Sequence, residues 1–537
     1  MEQKILAMYD TQGIQKYIFK TAKVRDVIGA SGLVENIIMD ALHNAVKRVK
    51  DEKENMMVEL QWSDENGPFK FVEKDYDMQV LFAGGGNAYV LFRDKPLCTC
   101  INRYMGRYIL DKTYSLQMSV AMIEKGEDFL HDYKEIRDEM NRVKAEMAVC
   151  RPMGALPIMK VEIKTGFPLV SKSGSTETLL KMSYEKERQR KGIDKDIKQF
   201  DSYITEKGKD SKLAVVHIDG NNMGLRIHQM LKEANSYEEA VNRMRNISYH
   251  IDHSYKITFQ TMHDFFTEKA AKMTIFKEKV KNLFICKILT AGDDITYVCN
   301  GKIALATVEF FCREISRHTM NGKKDKKYLN RFGFSVCAGV AFMGSHFPFY
   351  IGYEVAENCC ENAKERAKEP QNMDGERVGN FVDFHITQNI QAADFNEMRK
   401  REYQTCTGEQ LLIRPYYIAT GTEGTLKFLN DKYFAFHKFK RAVSYFQNLK
   451  EQEELNDINM PKSFAMTLRN LYPTGKNQVY NLEAFLKSRD WYMPDEKEGI
   501  DAMYLVEENR IIARWYDALE MVDDFIDLDK MEENCYG

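Results

Sequence analysis

Three aspartates in the sequence could build a site for divalent metal ions. Asp219 ends the apolar run 213–218, and Asp293 and Asp294 follow Gly292 in a predicted hairpin turn. Transfer of a nucleotidyl group to a hydroxyl needs two divalent ions about 3.5 to 4 Å apart, and therefore carboxylates that converge from neighbouring strands. Because carboxylate and phosphate oxygens are hard ligands, two Mg²⁺ or Mn²⁺ ions are the expected cofactors. We therefore predict that Asp219, Asp293 and Asp294 are catalytic residues and metal ligands.

Small and basic residues near these aspartates are predicted to bind a nucleotide. Glycines let backbone N–H groups approach phosphate oxygens closely. A lysine on the helix predicted at 356–368 could reach back to a triphosphate as a point charge, and two lysines one turn apart are candidates. The predicted nucleotide-binding residues of this part of the chain are Gly220, Asn221, Asn222, Gly292, Lys364 and, as the alternative to Lys364, Lys368.

An internal duplication places these residues on a recurring set of elements. The first copy has an apolar strand that ends at Asp10 and a hairpin that turns at Gly85, and the second has a strand that ends at Asp219 and a hairpin that turns at Gly292. The interval from aspartate to glycine is 75 residues in the first copy and 73 in the second. In each copy a helical segment precedes the hairpin, and a helix, a strand that begins with Ser-Val and a further helix follow it. This order predicts an antiparallel sheet backed by helices, the plan of palm domains in polymerases and nucleotide cyclases.

The first copy lacks the carboxylates of the second. Its turn, residues 83–87, has no acidic side chain, so Asp10 alone remains and no metal pair is expected there. The glycines of this turn could instead cradle a phosphate with their backbone N–H groups. The residues predicted to bind a second nucleotide are Gly84, Gly85, Gly86 and Asn87.

The predicted fold class is α+β, with two ferredoxin-like palm domains, a small connector domain and a helical C-terminal domain. At 537 residues the chain exceeds what one hydrophobic core usually supports, so several domains are expected. The predicted domains are 1–149, the non-catalytic first palm; 150–210, the connector; 211–405, the catalytic second palm; and 406–537, the helical C-terminal domain.

Composition limits the compartment and the partners. Apolar residues make up 44% of the chain and charged residues 29%, which is typical of a globular protein. The N-terminal residues have no signal-peptide pattern, and no run of about 18 apolar residues occurs, so a cytoplasmic protein with no membrane partner is predicted. The 77 basic and 80 acidic residues give a net charge of −3, so a polyanion would have to bind to a local patch. The 11 cysteines form no paired CxxC motifs, which suits reduced thiols and nominates no zinc site.

The motifs and their order resemble a known family. The segment Gly13 to Phe19 looks like the opening of a first palm, and the strand that ends at Asp219, with Ala291-Gly-Asp-Asp294, looks like a second palm with its GGDD signature. Over nearly its whole length the sequence resembles the large subunit of type III CRISPR effector complexes, whose two palm domains make cyclic oligoadenylates from ATP. The resemblance implies that the three aspartates hold the metals and that Lys364 contacts the triphosphate of ATP. It also implies other CRISPR effector subunits and guide or target RNA as partners.

Four departures from the family pattern bear on function. Ala291 stands where the signature has its first glycine, and if this position needs a positive φ the change costs on the order of 1 kcal/mol. Asn221 stands where a second carboxylate is expected, and it can ligate only through its amide oxygen. The segment 161–168, a degenerate counterpart of the family's zinc-binding region, has no cysteine, so no zinc is predicted. The sequence begins at the first palm, so the HD nuclease domain of many relatives, and its DNA cleavage, are not expected.

The predicted function is that of a metal-dependent nucleotidyltransferase that converts ATP to a cyclic or linear oligoadenylate signal in CRISPR-linked antiviral defence. One alternative is a catalytically silent scaffold subunit that binds RNA, which Ala291 and Asn221 favour. Another is a standalone nucleotide cyclase or dinucleotide synthase outside CRISPR. Replacing the aspartates leaves the function of a scaffold intact, which separates it from both enzymes.

Overall fold

The computed structural model contains two sheet-based domains, a connector and a C-terminal region. In the part of the chain that it describes, no helix is both long enough and apolar enough to cross a lipid bilayer. The described residues are 3–20, 24–52, 55–84, 86–147, 155–163, 165–190, 212–272, 285–320, 322–323, 333–387, 394–452, 463–489, 493, 501–507 and 510–533.

The first palm domain is a five-stranded sheet covered on both faces. Its elements are β1 (Ile5–Gln12), α1 (Ile14–Phe19), α2 (Val24–Glu35), α3 (Ile37–Glu52), β2 (Val58–Glu59), β3 (Ser63–Asp64), β4 (Gly67–Pro68), β5 (Met78–Gly84), β6 (Asn87–Phe92), α4 (Lys95–Thr113), β7 (Gln117–Glu124) and α5 (Phe129–Glu146). The strand order is β2-β5-β6-β1-β7, with β1 antiparallel to both of its neighbours. Ile5 and Ala7 pack in the core of α2 to α4, while Leu6 and Met8 pack with α5. Both faces of β1 are therefore buried.

The connector is fixed to the surface of the first palm. Its described elements are β8 (Leu169–Ser171), β9 (Gly174–Ser175) and α6 (Thr176–Arg190). α6 lies so close to α2 that a Cβ on Gly29 would stand 2.2 Å from the carbonyl oxygen of Lys181. The buried Lys181 donates to the carbonyl oxygen of Tyr17 at 2.7 Å and pairs with Glu177 at 2.8 Å. These contacts join the connector helix to α1 and α2.

The second palm domain repeats the plan and adds one strand after its last sheet helix. Its elements are β10 (Lys212–Gly220), α7 (Met223–Leu231), α8 (Tyr237–Lys272), β11 (Ile285–Ala291), β12 (Asp294–Asn300), α9 (Ala304–Ile315), β13 (Val336–Gly344), α10 (Phe349–Ala367), β14 (Asn380–Ile386) and α11 (Phe395–Tyr403). An apolar stripe along α8, from Met244 to Phe266, is buried against this sheet and the first palm. The prediction of antiparallel sheets is wrong for two strand pairs, because β2 runs parallel to β5 in the first palm and β14 runs parallel to β13 here. α10 supplies the crossover that a parallel pair requires.

The C-terminal region is mainly helical but extends the second sheet. Its elements are β15 (Tyr416–Ile418), α12 (Phe436–Gln452), α13 (Ser463–Leu471), α14 (Lys476–Lys487), β16 (Tyr504–Glu507), β17 (Arg510–Ala513), α15 (Tyr516–Met521) and α16 (Leu528–Glu533). β15 pairs with β14, so the sheet crosses the boundary predicted at 405 and 406. Pairing with β15 covers the hydrogen-bonding edge that β14 would otherwise expose.

Strand order and register confirm the internal duplication. The orders β5-β6-β1-β7 and β11-β12-β10-β13 are the same. The outer hairpin strands even carry a bulge at the same place, at Leu81 in β5 and at Ile288 in β11, each three residues before the strand ends. The sequence pattern matched the pair Ser119-Val120 with the pair Ser335-Val336, and this match is wrong. Asp10 faces Ser119, whereas Asp219 faces Cys337, which lies two residues after Ser335. Backbone pairing fixes the register, and a shared dipeptide does not.

One buried arginine docks the second palm on the first. Arg245 of α8 has no exposed surface. Its guanidinium donates to the carbonyl oxygens of Leu81 at 2.6 Å, Val80 at 2.8 Å and Phe69 at 3.0 Å. Two of these acceptors lie at the bulge of β5, where the ladder of backbone hydrogen bonds is interrupted. The bulge therefore provides carbonyl groups that the other domain satisfies.

Candidate active site

The three predicted aspartates meet at one end of the second sheet. Ile218 of β10 faces Ile295 of β12, so Asp219, one residue further along, lies beside Asp294. Asp293 stands in the turn between β11 and β12. Residues that are far apart in the sequence thus share one sheet end, as the strand and turn pattern predicted.

The geometry of the hairpin turn explains why Ala291 can stand in place of the first glycine of the GGDD signature. Ala291 faces Asp294 as the last residue of β11, so the loop has two residues. Gly292 adopts a φ of 67° within it, a conformation that a side chain would strain. Ala291 does not have a positive φ. The cost considered for this alanine therefore does not arise.

Helix α10 brings a lysine to the same sheet end. Lys364 forms an ion pair with the carboxylate of Asp219. The helix lies directly on β13, because a Cβ on Gly339 would stand 1.9 Å from the carbonyl oxygen of Ala356. A side chain at 339 would push α10 away, so this glycine sets the distance across which Lys364 meets Asp219. Lys368 lies one turn further on at the exposed end of the helix.

Burial, together with neighbouring carboxylates, makes Asp293 and Asp294 hard to ionise. Burial raises the pKa of Asp293 to about 7, and the charge of Asp219 adds to this rise. Burial, together with Asp219, Asp293 and Glu357, raises the pKa of Asp294 well above its usual range. For Lys364, burial opposes the charged form, but Asp219 outweighs it and the pKa is raised. Without divalent ions Asp293 and Asp294 therefore favour the protonated form, and bound ions would displace the protons and balance the negative charge.

Two neighbours of Asp294 were not predicted as site residues. His217 is buried, and its Nδ1 lies 3.3 Å from Oδ1 of Asp294 and 3.1 Å from Oγ1 of Thr296. Burial lowers the pKa of His217 to about 4, so its ring is neutral at neutral pH. Glu357 stands two turns before Lys364 on α10, and burial raises its pKa. Glu357 lies near Asp294 because of the way α10 packs on the sheet, and no local sequence pattern predicts that packing.

The three aspartates offer the oxygen ligands that divalent ions prefer, although their oxygens do not all lie within 4.8 Å of one another. Oδ1 of Asp294 is buried and makes no hydrogen bond, as expected of an atom that a cation satisfies. Among the described residues, the group of three ligand atoms that all lie within 4.8 Å of one another is His131, Asp132 and Glu135 on α5. The oxygens of the three aspartates are therefore spread further apart than this.

A cavity of about 680 Å³ joins this sheet end to the first palm. The three aspartates and Gly292 line it from the second palm, and Gly84 and Asn87 line it from the first. Gly86 lines a smaller adjoining cavity of about 170 Å³. Gly85 lies outside the described residues. Gly220, Asn221, Asn222, Lys364 and Lys368, all described, are not part of the wall of the larger cavity.

The residues that follow Asp219 have structural contacts. Asn221 is buried, and its amide nitrogen donates to the carbonyl oxygen of Gly379 at 3.1 Å. Its amide oxygen makes no hydrogen bond. Asn222 begins α7 with a φ of 56° and donates to the carbonyl oxygen of Glu376 at 3.2 Å. Gly220 packs closely against the hairpin turn that carries Asp293. A Cβ at this position would stand 2.8 Å from Oδ2 of Asp293, which is too close.

The first palm repeats the lysine and aspartate pair, which sequence reasoning missed. Lys144 forms an ion pair with Asp10, and both line the cavity. Lys144 stands fifteen residues after the first residue of α5, and Lys364 stands fifteen after the first residue of α10. Asp10 faces Asn87, as expected of the counterpart of Asp219 beside Asp294. The duplication could have revealed Lys144 had the two helices been aligned from their starts.

The raised carboxyl pKa values predict that stability falls as the pH rises. An aspartate ionises near pH 3.9 when unfolded, so the folded protein, in which the pKa of Asp293 is about 7, binds protons more tightly between these values. Stability from these groups is therefore present at low pH and lost as the pH passes through about 7. Between pH 5 and 8 we expect the Tm of the metal-free protein to fall by about 5 °C more than that of the Asp293→Asn/Asp294→Asn variant.

Scanning calorimetry with and without Mn²⁺ measures this effect. Since a cation must displace the proton, Mn²⁺ should raise the Tm at pH 8 and have little effect at pH 5. Equal pH slopes for the wild type and the variant would show that the two carboxyls are not perturbed.

Comparison with known proteins agrees with this architecture. No family model matches the chain, and no curated protein matches it either. The fold and cavity define a protein with two palm-type domains that face each other across a shared cleft. Several solved structures share this fold, and they include crystal structures of a Csm1-Csm4 cassette.

The structural matches span nearly the whole chain at low identity. The cassette in complex with cA4 matches with a TM-score of 0.53 at 12% identity, over 97% of this chain and 69% of that chain. The complexes with AMPPNP and pppApA give TM-scores of 0.53 and 0.52 at 13% and 12% identity, with the same coverage. The α+β fold with two palm domains is thereby confirmed. The resemblance inferred from the sequence holds for the fold.

Proposed function

We propose that the chain is a metal-dependent nucleotidyltransferase that converts ATP to a cyclic or linear oligoadenylate in CRISPR-linked antiviral defence. The observation that carries this proposal is the convergence of Asp219, Asp293 and Asp294 on a cavity that both palms line. The cavity, at about 680 Å³, is within the roughly 300 to 1,000 Å³ range of small-molecule sites. Structures of the same fold are described with cA4, AMPPNP or pppApA, which supports adenine nucleotides as the ligands.

The chemistry joins two nucleotides at the end of the second sheet. The 3′-hydroxyl of one ATP attacks the α-phosphorus of the other, a new P–O bond forms, and the bond to pyrophosphate breaks. Asp219, Asp293 and Asp294 would hold two Mg²⁺ or Mn²⁺ ions, which lower the pKa of the hydroxyl and neutralise charge on the phosphates. Lys364, which pairs with Asp219 beside the cavity, would turn to donate to an oxygen of the triphosphate.

The first palm supplies the second nucleotide site in this proposal. Asn87 and Gly84 would offer amide and backbone donors at the wall of the cavity. Lys144 and Arg137 of α5 add positive charge to the same wall. Asp10 with Lys144 leaves one carboxylate and one cation, which suits phosphate binding better than a pair of metal ions.

The partners follow from the same fold. The matched structures are of Csm1-Csm4 cassettes, which supports a second effector subunit as a partner of this chain. Guide or target RNA would then reach the chain within that assembly. These partners separate the proposal from a standalone cyclase, which would need none of them.

The test is an assay of product formation from each labelled triphosphate. Purified protein is incubated with Mg²⁺ or Mn²⁺, with and without candidate RNA, and the products are resolved by chromatography and mass. We expect ATP to give oligoadenylates and pyrophosphate. A protein that binds ATP but forms no product under any of these conditions would overturn the proposal.

A silent scaffold is the second candidate function. The ion pair between Lys364 and Asp219 and the spread of the three aspartates favour it, because Lys364 engages a carboxylate that would otherwise ligate a metal and the three carboxylates do not converge on one point. A scaffold would retain RNA binding and complex assembly after the aspartates are replaced. Product formation by the wild type and its loss in the variant exclude this candidate.

Replacing Lys144 by alanine should weaken binding of the second nucleotide. The change removes a cation and leaves Asp10 facing the phosphates, so we expect KM for ATP to rise about 10- to 100-fold, as for loss of a hydrogen bond to a charged group. Steady-state kinetics over a range of ATP concentrations measure it. Lys144→Arg should recover most of the affinity, and Lys134→Ala, an exposed change on the same helix, should have no effect. A lower kcat at unchanged KM would contradict the assignment.

A further inference from the structure

A tyrosine of α8 brings a hydroxyl group to the buried side of the candidate active site. Tyr255 has no exposed surface, and its hydroxyl makes no hydrogen bond with any described residue. Its ring is held by the ring of Phe334, whose centre lies 5.5 Å away, and by that of Phe311 at 6.0 Å. Tyr255 does not line the cavity between the palms, and no step of the proposed reaction uses it.

This position would suit phenylalanine better if it served only the core. Tyr255 stands on the apolar stripe of α8, four residues after Ile251 and four before Phe259, and both of these are buried. A buried hydroxyl without a partner gives up the hydrogen bonds that it makes to water in the unfolded chain, so it lowers stability. The hydroxyl is explained if an acceptor forms beside it when the site binds a ligand.

The hydroxyl of Tyr255 and the carboxylate of Asp293 both border the space beside Gly220. A Cβ on this glycine would stand 2.9 Å from the hydroxyl oxygen of Tyr255 and 2.8 Å from Oδ2 of Asp293. The third neighbour of this point is the terminal methyl group of Met223, which is the flexible end of its side chain. Because residue 220 has no side chain, the carboxylate can turn towards the hydroxyl without meeting one.

The charges around the hydroxyl make it a donor and make Asp293 its best-placed acceptor. Burial, and then the charges of Asp293 and Asp219, raise the pKa of Tyr255 well above its usual range, so the proton stays on the hydroxyl. Asp219 already accepts a hydrogen bond from Lys364. The cation that opposes the rise in pKa is Arg226, and a guanidinium can only donate.

We propose that Tyr255 is a positioning residue, which donates a hydrogen bond to the carboxylate of Asp293 when that carboxylate binds a divalent ion. The proposal rests on the proposed function in one respect, the choice of Asp293 as a metal ligand. A hydrogen bond to one oxygen of a ligating carboxylate fixes its orientation. Loss of such a bond typically weakens metal binding by about 10- to 100-fold.

The variant Tyr255→Phe tests the proposal, because it removes the hydroxyl and keeps the ring. Mn²⁺ is titrated into the full-length protein at pH 8 by calorimetry, without nucleotide. The binding that is absent from Asp293→Asn/Asp294→Asn is assigned to the aspartates, and we expect Tyr255→Phe to raise the Kd of that binding by about tenfold or more. In EDTA the Tm of Tyr255→Phe should equal or exceed that of the wild type, since a buried hydroxyl without a partner is removed.

Tyr297 of β12 provides the matched control. It is fully buried in the same core, and its hydroxyl shares a hydrogen bond with Oγ1 of Thr307 at 2.8 Å. Tyr297→Phe should therefore lower the Tm in EDTA and leave the Kd for Mn²⁺ unchanged, which is the opposite of the result expected for Tyr255→Phe.

Three results would overturn the proposal. Tyr255→Phe could bind Mn²⁺ with the affinity of the wild type, or it could lower the Tm in EDTA as much as Tyr297→Phe does, which would show that the hydroxyl already has a structural partner. The third is a wild type that binds no Mn²⁺ at the aspartates. None of these measurements needs product formation, so a protein that binds Mn²⁺ as expected but makes no oligoadenylate would contradict the proposed reaction and leave the role of Tyr255 supported.

Discussion

Replacing Asp293 and Asp294 together by asparagine should lower the rate of oligonucleotide synthesis by about 1,000-fold or more. Each carboxylate lies at the cavity wall, and Oδ1 of Asp294 makes no hydrogen bond that would explain its burial. Asparagine keeps the size of the side chain but removes the charge that a divalent ion needs. Loss of charge stabilisation at the transition state is worth several kcal/mol. The measurement is the initial rate of product formation at saturating Mg²⁺.

A matched control removes two charges elsewhere. Asp111 and Asp138 are exposed and lie on α4 and α5, so Asp111→Asn/Asp138→Asn should retain the wild-type rate. The active-site variant should also lose the rise in Tm that Mn²⁺ causes in the wild type, while it stays folded. A variant as active as the wild type would show that the assignment of these aspartates is wrong, whatever reaction the protein performs.

The parts of the site that the sequence predicted are those fixed by local rules. The apolar run 213–218 that ends at Asp219 located β10, and Gly292 located the hairpin, because a two-residue loop needs a positive φ. The nearly equal spacing of the two copies, 75 and 73 residues, then predicted that the strands share a sheet. The roles of the aspartates, the nucleotide-binding residues and the metal ions stay predictions.

The parts that the sequence did not predict depend on packing between distant elements. Lys144 and Glu357 lie on helices whose surfaces show several charged residues, and only the docked helix shows which of them faces the cavity or the aspartates. The extension of the second sheet to β15 was missed because three residues, Tyr416–Ile418, are too short to show alternation. The burial of Arg245 was missed because arginine is rarely fully buried and its acceptors belong to the other domain.

Replacing Arg245 by leucine should lower the free energy of unfolding by about 3 to 5 kcal/mol. The change leaves the carbonyl oxygens of Phe69, Val80 and Leu81 buried without a donor, and each unsatisfied group costs about 1 to 3 kcal/mol. Chemical or thermal denaturation measures the loss, which should lower the Tm by roughly 6 °C or more. Arg245→Lys should recover little, since a single ammonium group cannot match the planar fork of a guanidinium at three acceptors.

Arg243 of the same helix provides the matched control. Its guanidinium pairs with Glu239 at 2.8 Å on the surface, so Arg243→Leu should cost less than about 1 kcal/mol. The cavity is lined by both palms, and Arg245 holds α8 on the bulge of β5. Arg245→Leu should therefore also raise KM for ATP under conditions in which the variant is still folded, because the two halves of the cavity are no longer held in register. If the variant loses stability but binds ATP as the wild type does, the docking of the palms is not what shapes the nucleotide site.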